Sequence, residues 1–206
     1  VLSQVCFGAL LGLCVLIDPR YLLESNEGGV SNYGTRADTV VFYTVAFVSC
    51  AALLWRAAHR LPMTVRSARA TRTGLEVVAG LLLGVLVSTY PYKLAPVLGE
   101  AHLVVSVLLF SVEMALVTWL MLVVNRSPLH SAAFSLALAG FALSGASTLG
   151  VLHVLLVGEA TMEAGFAAST LLVCSAPQLP ATQACWSRGA RTRRNAQAER
   201  PGLGSG

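Results

Sequence analysis

Six apolar stretches, separated by connections whose charge alternates, constrain this chain more than any other feature; they run over 2–17, 39–58, 75–92, 101–124, 131–157 and 164–179. A helix needs about 20 apolar residues to cross ~30 Å of hydrocarbon, where its own backbone must satisfy every N–H and C=O. The middle four stretches meet that length, and the first and last come close to it. Composition points the same way. Hydrophobic residues make up 55% of the 206 residues and charged residues 12%, against about a quarter charged in soluble domains, and the mean hydropathy is +0.70. The expected fold is all-α: a polytopic membrane helical bundle of six transmembrane helices in one domain over residues 1–180. A polar, Arg-rich tail over 181–206 is expected to be disordered. Residues 1–17 lack the basic segment of a signal peptide and read as a retained first helix.

The connections set the orientation. One group carries Arg56, Arg60, Arg66, Arg69 and Arg72, then Arg126, then Arg188, Arg191, Arg193, Arg194 and Arg200. The other carries Arg20, Arg36 and Lys93 beside Asp18, Glu24, Glu27, Asp38, Glu100, Glu159 and Glu163. The positive-inside rule puts the first group in the cytoplasm, so both termini and the 59–74 connection lie inside and the acidic 18–38 loop lies outside. A net charge of +4 distributed in this way is a topology signal and not a phosphate-binding stripe, so nucleic acid is not an expected partner. Cys6, Cys14, Cys50, Cys174 and Cys185 form no CxxC and no Cys/His group at metal spacing, and no cofactor is expected. The expected location is the plasma membrane, and the preference for Arg over Lys suits a bacterial inner membrane.

Helix association in lipid relies on close approach of small residues and on interhelical hydrogen bonds. Gly8 with Gly12, Gly80 with Gly84 and Ser88, and Gly140 with Ser144 and Thr148 recur at spacings of four, which places each set on one helix face. All three are expected to be packing faces. Glu76, four residues after Arg72, is expected to form an i,i+4 ion pair at a helix start.

Glu113, near the middle of the fourth stretch, is the residue most difficult to place in hydrocarbon, at about 2.5–3.5 kcal/mol on insertion scales. It should face the bundle. His102 lies about three helical turns earlier on nearly the same face, with Ser106 between them. A polar intramembrane seam of His102, Ser106, Glu113 and Ser144 is therefore expected, serving a proton path, a coupling ion or a lipid headgroup. A protonated Glu113 bonded to Ser144 as structural glue is the competing expectation. His102 and His153 at the outer ends of neighbouring helices offer a remoter possibility, a metal or haem pair.

The outer loop, with its Gly, Ser and Asn content, either carries function or caps the outer helix ends. Within it, Gly29-Val30-Ser31-Asn32-Tyr33-Gly34 resembles the Gly-Ile-Ser-Asp-x-Gly motif in the first outer loop of the DRAM-related six-helix membrane family and nearby uncharacterised bacterial proteins. Asn32 stands where that motif is commonly acidic. The resemblance implies a similar architecture, an association with membrane-lipid handling, and roles for Ser31, Asn32, Gly34 and His102. Three functions stay open: a noncatalytic protein that binds or organises membrane lipid, a membrane partner or a small ligand; a small proton-coupled transporter using Glu113; or a His-ligated membrane enzyme.

Overall fold

A computed structural model describes residues 2–19, 29–61, 68–89, 96–123 and 128–175. The tail over 181–206, residues 20–28 of the outer loop and residues 62–67 of the 59–74 connection lie outside these residues. All regular structure among the described residues is helical. The helices are α1 (Leu2–Ile17), a 3₁₀ helix (Gly29–Thr35), α2 (Val40–Arg60), α3 (Ala68–Thr89), α4 (Pro96–Val123), α5 (Pro128–Thr148) and α6 (Leu155–Ser175).

Four helices, Val40–Arg60, Ala68–Thr89, Val97–Leu122 and Pro128–Thr148, are long and apolar enough to cross a membrane. The expected count of six is not reached on those criteria. The described part of α1, 16 residues, covers roughly 24 Å at 1.5 Å per residue. The last helix has the length, but Glu159 and Glu163 lie in its first half.

Around an apolar core, the outer surface departs from that of a water-soluble bundle. Leu16, Val87, Val97 and Leu149 are 72–80% exposed, whereas Asp18, Thr39, Thr89 and Glu113 are at most 2% exposed. Large aliphatic side chains turned outward, with polar and small ones turned inward, suit a hydrocarbon surround. In the interior α2 lies between α1 and α3, α3 packs on α4, and α4 on α5. Phe7 meets Phe47 edge to face at 5.2 Å between centroids, and Tyr43 lies 4.4 Å from Phe47; such aromatic pairs contribute about 0.5–1.5 kcal/mol each beyond their burial.

The small-residue faces separate into two kinds. On α5 the expectation holds: a Cβ at Gly140 would fall on the Met162 backbone, one at Gly158 would come within 2.6 Å of Ser144 N, and one at Gly165 within 2.7 Å of Ala137 Cα. Backbone against backbone is what Gly permits, and it joins α5 to α6. Gly8, Gly12 and Gly80 have no neighbour within 4 Å of a built Cβ. The expectation that the α1 motif is a packing face is therefore corrected, because that face borders open space.

A second correction concerns 131–157, read from sequence as one stretch. The helix stops at Thr148. Gly150 adopts φ +73°, its N–H bonds Ser147 O at 3.0 Å, and Val151 N–H reaches back to Ala146 O at 2.9 Å. These are the two bonds of a Schellman C-cap with glycine in the left-handed position. Ser147 Oγ then accepts from Val154 N at 3.1 Å, and α6 begins at Leu155, nine residues before the expected start. Glu159 and Glu163 are thereby helical residues rather than loop residues.

At the end assigned to the outside, the 3₁₀ helix is folded into the bundle. Tyr33, 1% exposed, donates its hydroxyl to Asp18 O at 3.3 Å, and Thr39 Oγ1 donates to Tyr33 O at 2.7 Å. Arg36 pairs with the buried Asp18 at 2.9 Å and with Asp38 at 3.5 Å. At the opposite end the expected pair is present, Arg72 Nε to Glu76 Oε1 at 2.8 Å, with His59 at 3.7 Å from the same oxygen.

Candidate functional site

His102 joins three elements. Its Nδ1 lies 2.9 Å from Ser88 Oγ on α3, and its Nε2 lies 2.9 Å from Ser31 Oγ on the 3₁₀ helix. Ser88 Oγ also donates to Val85 O at 3.0 Å. One proton assignment satisfies all three bonds in a neutral ring: Nδ1–H donates to Ser88, and Ser31 donates to Nε2. The motif residue Ser31 and the histidine at the start of the fourth helix thus meet directly. Asn32 O accepts from Thr35 Oγ1 at 2.9 Å, and Gly34 lies against Thr89 and Tyr43, where a Cβ would come within 2.6 Å of both. These two residues hold the 3₁₀ helix in place and leave the contact with α4 to Ser31.

The early start of α6 changes the site most. Glu159 and Glu163, four apart, share the helix face directed at the bundle. Glu159 Oε2 accepts from Val30 N at 2.6 Å. Gly29, at φ +54°, lies where any Cβ would collide with that carboxylate. Glu163 lies within electrostatic reach of both Glu159 and Glu113, and Cys50 within reach of Glu113 and Glu163. Three carboxylates therefore gather inside the bundle, two from α6 and one from α4.

Glu113 is 1% exposed, and its Oε2 has no hydrogen-bond partner. Ser144 Oγ also has none, so the expected Glu113–Ser144 bond does not form; Ser144 is turned toward Gly158. A buried carboxylate oxygen without a partner costs at least about 1–3 kcal/mol.

Two grooves flank this cluster. One, of about 570 Å³, lies between α1 and α6 and is bordered by Gln4, Phe7, Gly12, Tyr33, Ala160 and Glu163. The other, of about 410 Å³, lies between α4 and α5 and is bordered by Ser31, His102, Ser106, Ser144, Thr148 and Glu159. Between them is a cavity of about 30 Å³ that shares Glu163 with the first groove, and Ser31, Ser106 and Glu159 with the second; it has room for one or two water molecules. Glu159 and Glu163 form the partition. Among the described residues no Lys or Arg borders either groove.

Of the expected seam, His102, Ser106 and Ser144 share the second groove, while Glu113 stands apart behind Glu163. His153 is exposed in the turn before α6, and both ring nitrogens of His102 are engaged by serines. Among the described residues no group of three or more His, Cys, Asp or Glu side chains has the arrangement of a metal site. The residues that sequence reasoning missed are Glu159 and Glu163. Gly150, a natural helix stop just before a second apolar run, was the signal that could have located them. Comparison of the chain with protein-family profiles, curated proteins and solved structures finds no match.

Proposed function

We propose that this chain is an integral membrane protein of six spanning helices with both termini in the cytoplasm, and that it binds an amphiphile drawn from the plasma-membrane bilayer in its lateral grooves. The observation that carries this reading is the partition: two grooves with apolar walls, each ending on a carboxylate of the same helix face, Glu163 on one side and Glu159 on the other. Apolar concavities of ~300–1,000 Å³ with a few convergent polar groups are the usual form of a small-molecule site. The resemblance of the outer-loop motif to that of the DRAM-related family, carried by Ser31, Asn32 and Gly34, points the same way, to a role in lipid handling.

The test is mass spectrometry of amphiphiles extracted from protein purified in mild detergent, for the native chain and for Ala160→Trp, which fills the first groove. Retained amphiphile that falls severalfold in the variant, with helix content unchanged, is the expected result. A native protein that carries none, or equal amounts in both, refutes the reading.

A second reading, proton-coupled transport, is favoured by the buried Glu113 Oε2 beside Glu163. Intramembrane acids of this kind belong to ion and proton pathways by default. Glu113→Gln keeps size and hydrogen bonding but does not titrate, so proton-linked uptake that survives it would remove this reading.

A further inference from the structure

We infer that the groove between α1 and α6 takes a lipophilic organic cation, a single hydrophobic chain bearing a protonated amine, with the ammonium seated against Glu163. This rests on the amphiphile-binding reading above and names the chemistry of the same site.

Charge is the first argument. Among the described residues Glu163 is the one charged residue bordering the groove; Phe7, Leu11, Val15, Tyr33 and Leu156 among others form the apolar wall. An anion in such surroundings is expensive unless a cation meets it. Among the described residues the wall supplies none, and an ammonium on the ligand is the complementary group. A phospholipid headgroup would set its phosphate beside Glu163 with no Lys or Arg among the described residues of the wall to receive it, and a neutral chain would bring no charge to meet the carboxylate.

A second acid adds to this independently. Glu113, 1% exposed with Oε2 unpartnered, stands within electrostatic reach of Glu163. Two buried carboxyls within electrostatic reach of each other are an arrangement that a cation seated at Glu163 stabilises. The rings of Phe7 and Tyr33 at the wall are the surfaces on which ammonium groups are held by cation–π attraction.

Shape gives the remainder. From Gln4 to Val15 the groove follows α1 for roughly 16 Å at 1.5 Å per residue, about the depth of one leaflet of a ~30 Å core. Gly8 and Gly12 have no neighbour within 4 Å, so this wall is flat and reached from the side. A ligand already dissolved in one leaflet enters without leaving hydrocarbon.

The experiment compares hexadecylamine, hexadecanol and hexadecanoate, with ethylamine as the soluble source of the same charge, binding to the full chain in phosphatidylcholine nanodiscs. We expect hexadecylamine to bind about tenfold or more tighter than hexadecanol, the scale of one desolvated charge pair, with ethylamine and hexadecanoate not binding. In Glu163→Gln the amine should fall to the level of the alcohol, while Glu100→Gln, at an exposed position of α4, should leave the preference intact. Equal binding of amine and alcohol to the native chain, or a preference that survives Glu163→Gln, overturns the inference while leaving amphiphile binding in place. Binding of none of the four overturns both. Should Glu163→Gln not fold, the native protein's thermal shift decides: one no larger with amine than with alcohol also overturns the inference.

Discussion

The Ser31–His102–Ser88 chain is the contact whose energy can be isolated most directly. His102 bonds the 3₁₀ helix through Nε2 and α3 through Nδ1, each at 2.9 Å. Interhelical hydrogen bonds in membrane proteins contribute about 0.6 kcal/mol on average and up to about 1.7. Ser31 is 9% exposed, and its bond is expected within that range. Ser31→Ala removes one bond and should cost about 0.5–1.5 kcal/mol. His102→Leu removes both and should cost about 1–3 kcal/mol, because Ser88 keeps its bond to Val85 O whereas Ser31 loses its bond to His102 Nε2. If Ser31 acts through His102, the double variant should cost no more than His102→Leu alone, giving a coupling energy of about 0.5–1.5 kcal/mol. The assay is reversible unfolding in mixed micelles titrated with denaturing detergent, followed by helical circular dichroism. Ser111→Ala, whose hydroxyl bonds only its own helix at Val107 O, is the control and should be additive with His102→Leu. Additivity of Ser31→Ala and His102→Leu to within about 0.3 kcal/mol would refute the link between the outer motif and the fourth helix.

Three further outcomes follow from the fold. Gly150→Ala forces a side chain into φ +73° and should lower stability by about 1 kcal/mol in the same unfolding assay, while Gly145→Ala, with nothing within 4 Å, should be neutral or slightly stabilising. Gly165→Ala drives a methyl group into Ala137 and should cost about 1–3 kcal/mol through overpacking, whereas Gly8→Ala, facing open space, should stay within about 0.5 kcal/mol. In a cysteine-free background, Ala37→Cys should react with an impermeant thiol reagent in intact cells and Arg60→Cys only after permeabilisation; the reverse pattern would invert the proposed orientation.

Much of the helical content was legible because hydrocarbon leaves a chain few options. The apolar runs around 39–58, 75–92 and 101–124 became α2, α3 and α4 with ends moved by a few residues, as interfacial turns of helix extend past the apolar stretch into polar sequence such as Ala68–Gly74. The i,i+4 pair of Arg72 and Glu76 was legible for the same reason, since it depends only on helix period. The 131–157 run was misread because apolar length alone does not distinguish one long helix from a helix, a cap and the start of the next. Gly150 made that distinction through a backbone conformation.

The candidate site was legible in half. His102 and Ser106 were identifiable as polar residues on one face of an apolar helix, and Ser31 from its motif. That Ser31 and His102 touch, across 71 residues of sequence, depends on how the 3₁₀ helix enters the bundle between α2 and α3. The α1 glycines, spaced like a packing motif, instead border a groove. Spacing states which residues share a face and says nothing of what the face meets.

The sequence by itself determined that this chain forms apolar helices, four of them long enough to cross a membrane, because only internally bonded backbone survives in lipid. It also determined that an acid at position 113 had to be turned inward. Tertiary structure alone decided that Glu113 has Glu163 and Glu159 as company rather than Ser144. That arrangement follows from glycine contacts at Gly140, Gly158 and Gly165, which bring α6 against α5 and turn its two carboxylates to the interior. Such contacts depend on the distance between helices, a quantity that no periodicity along one chain contains.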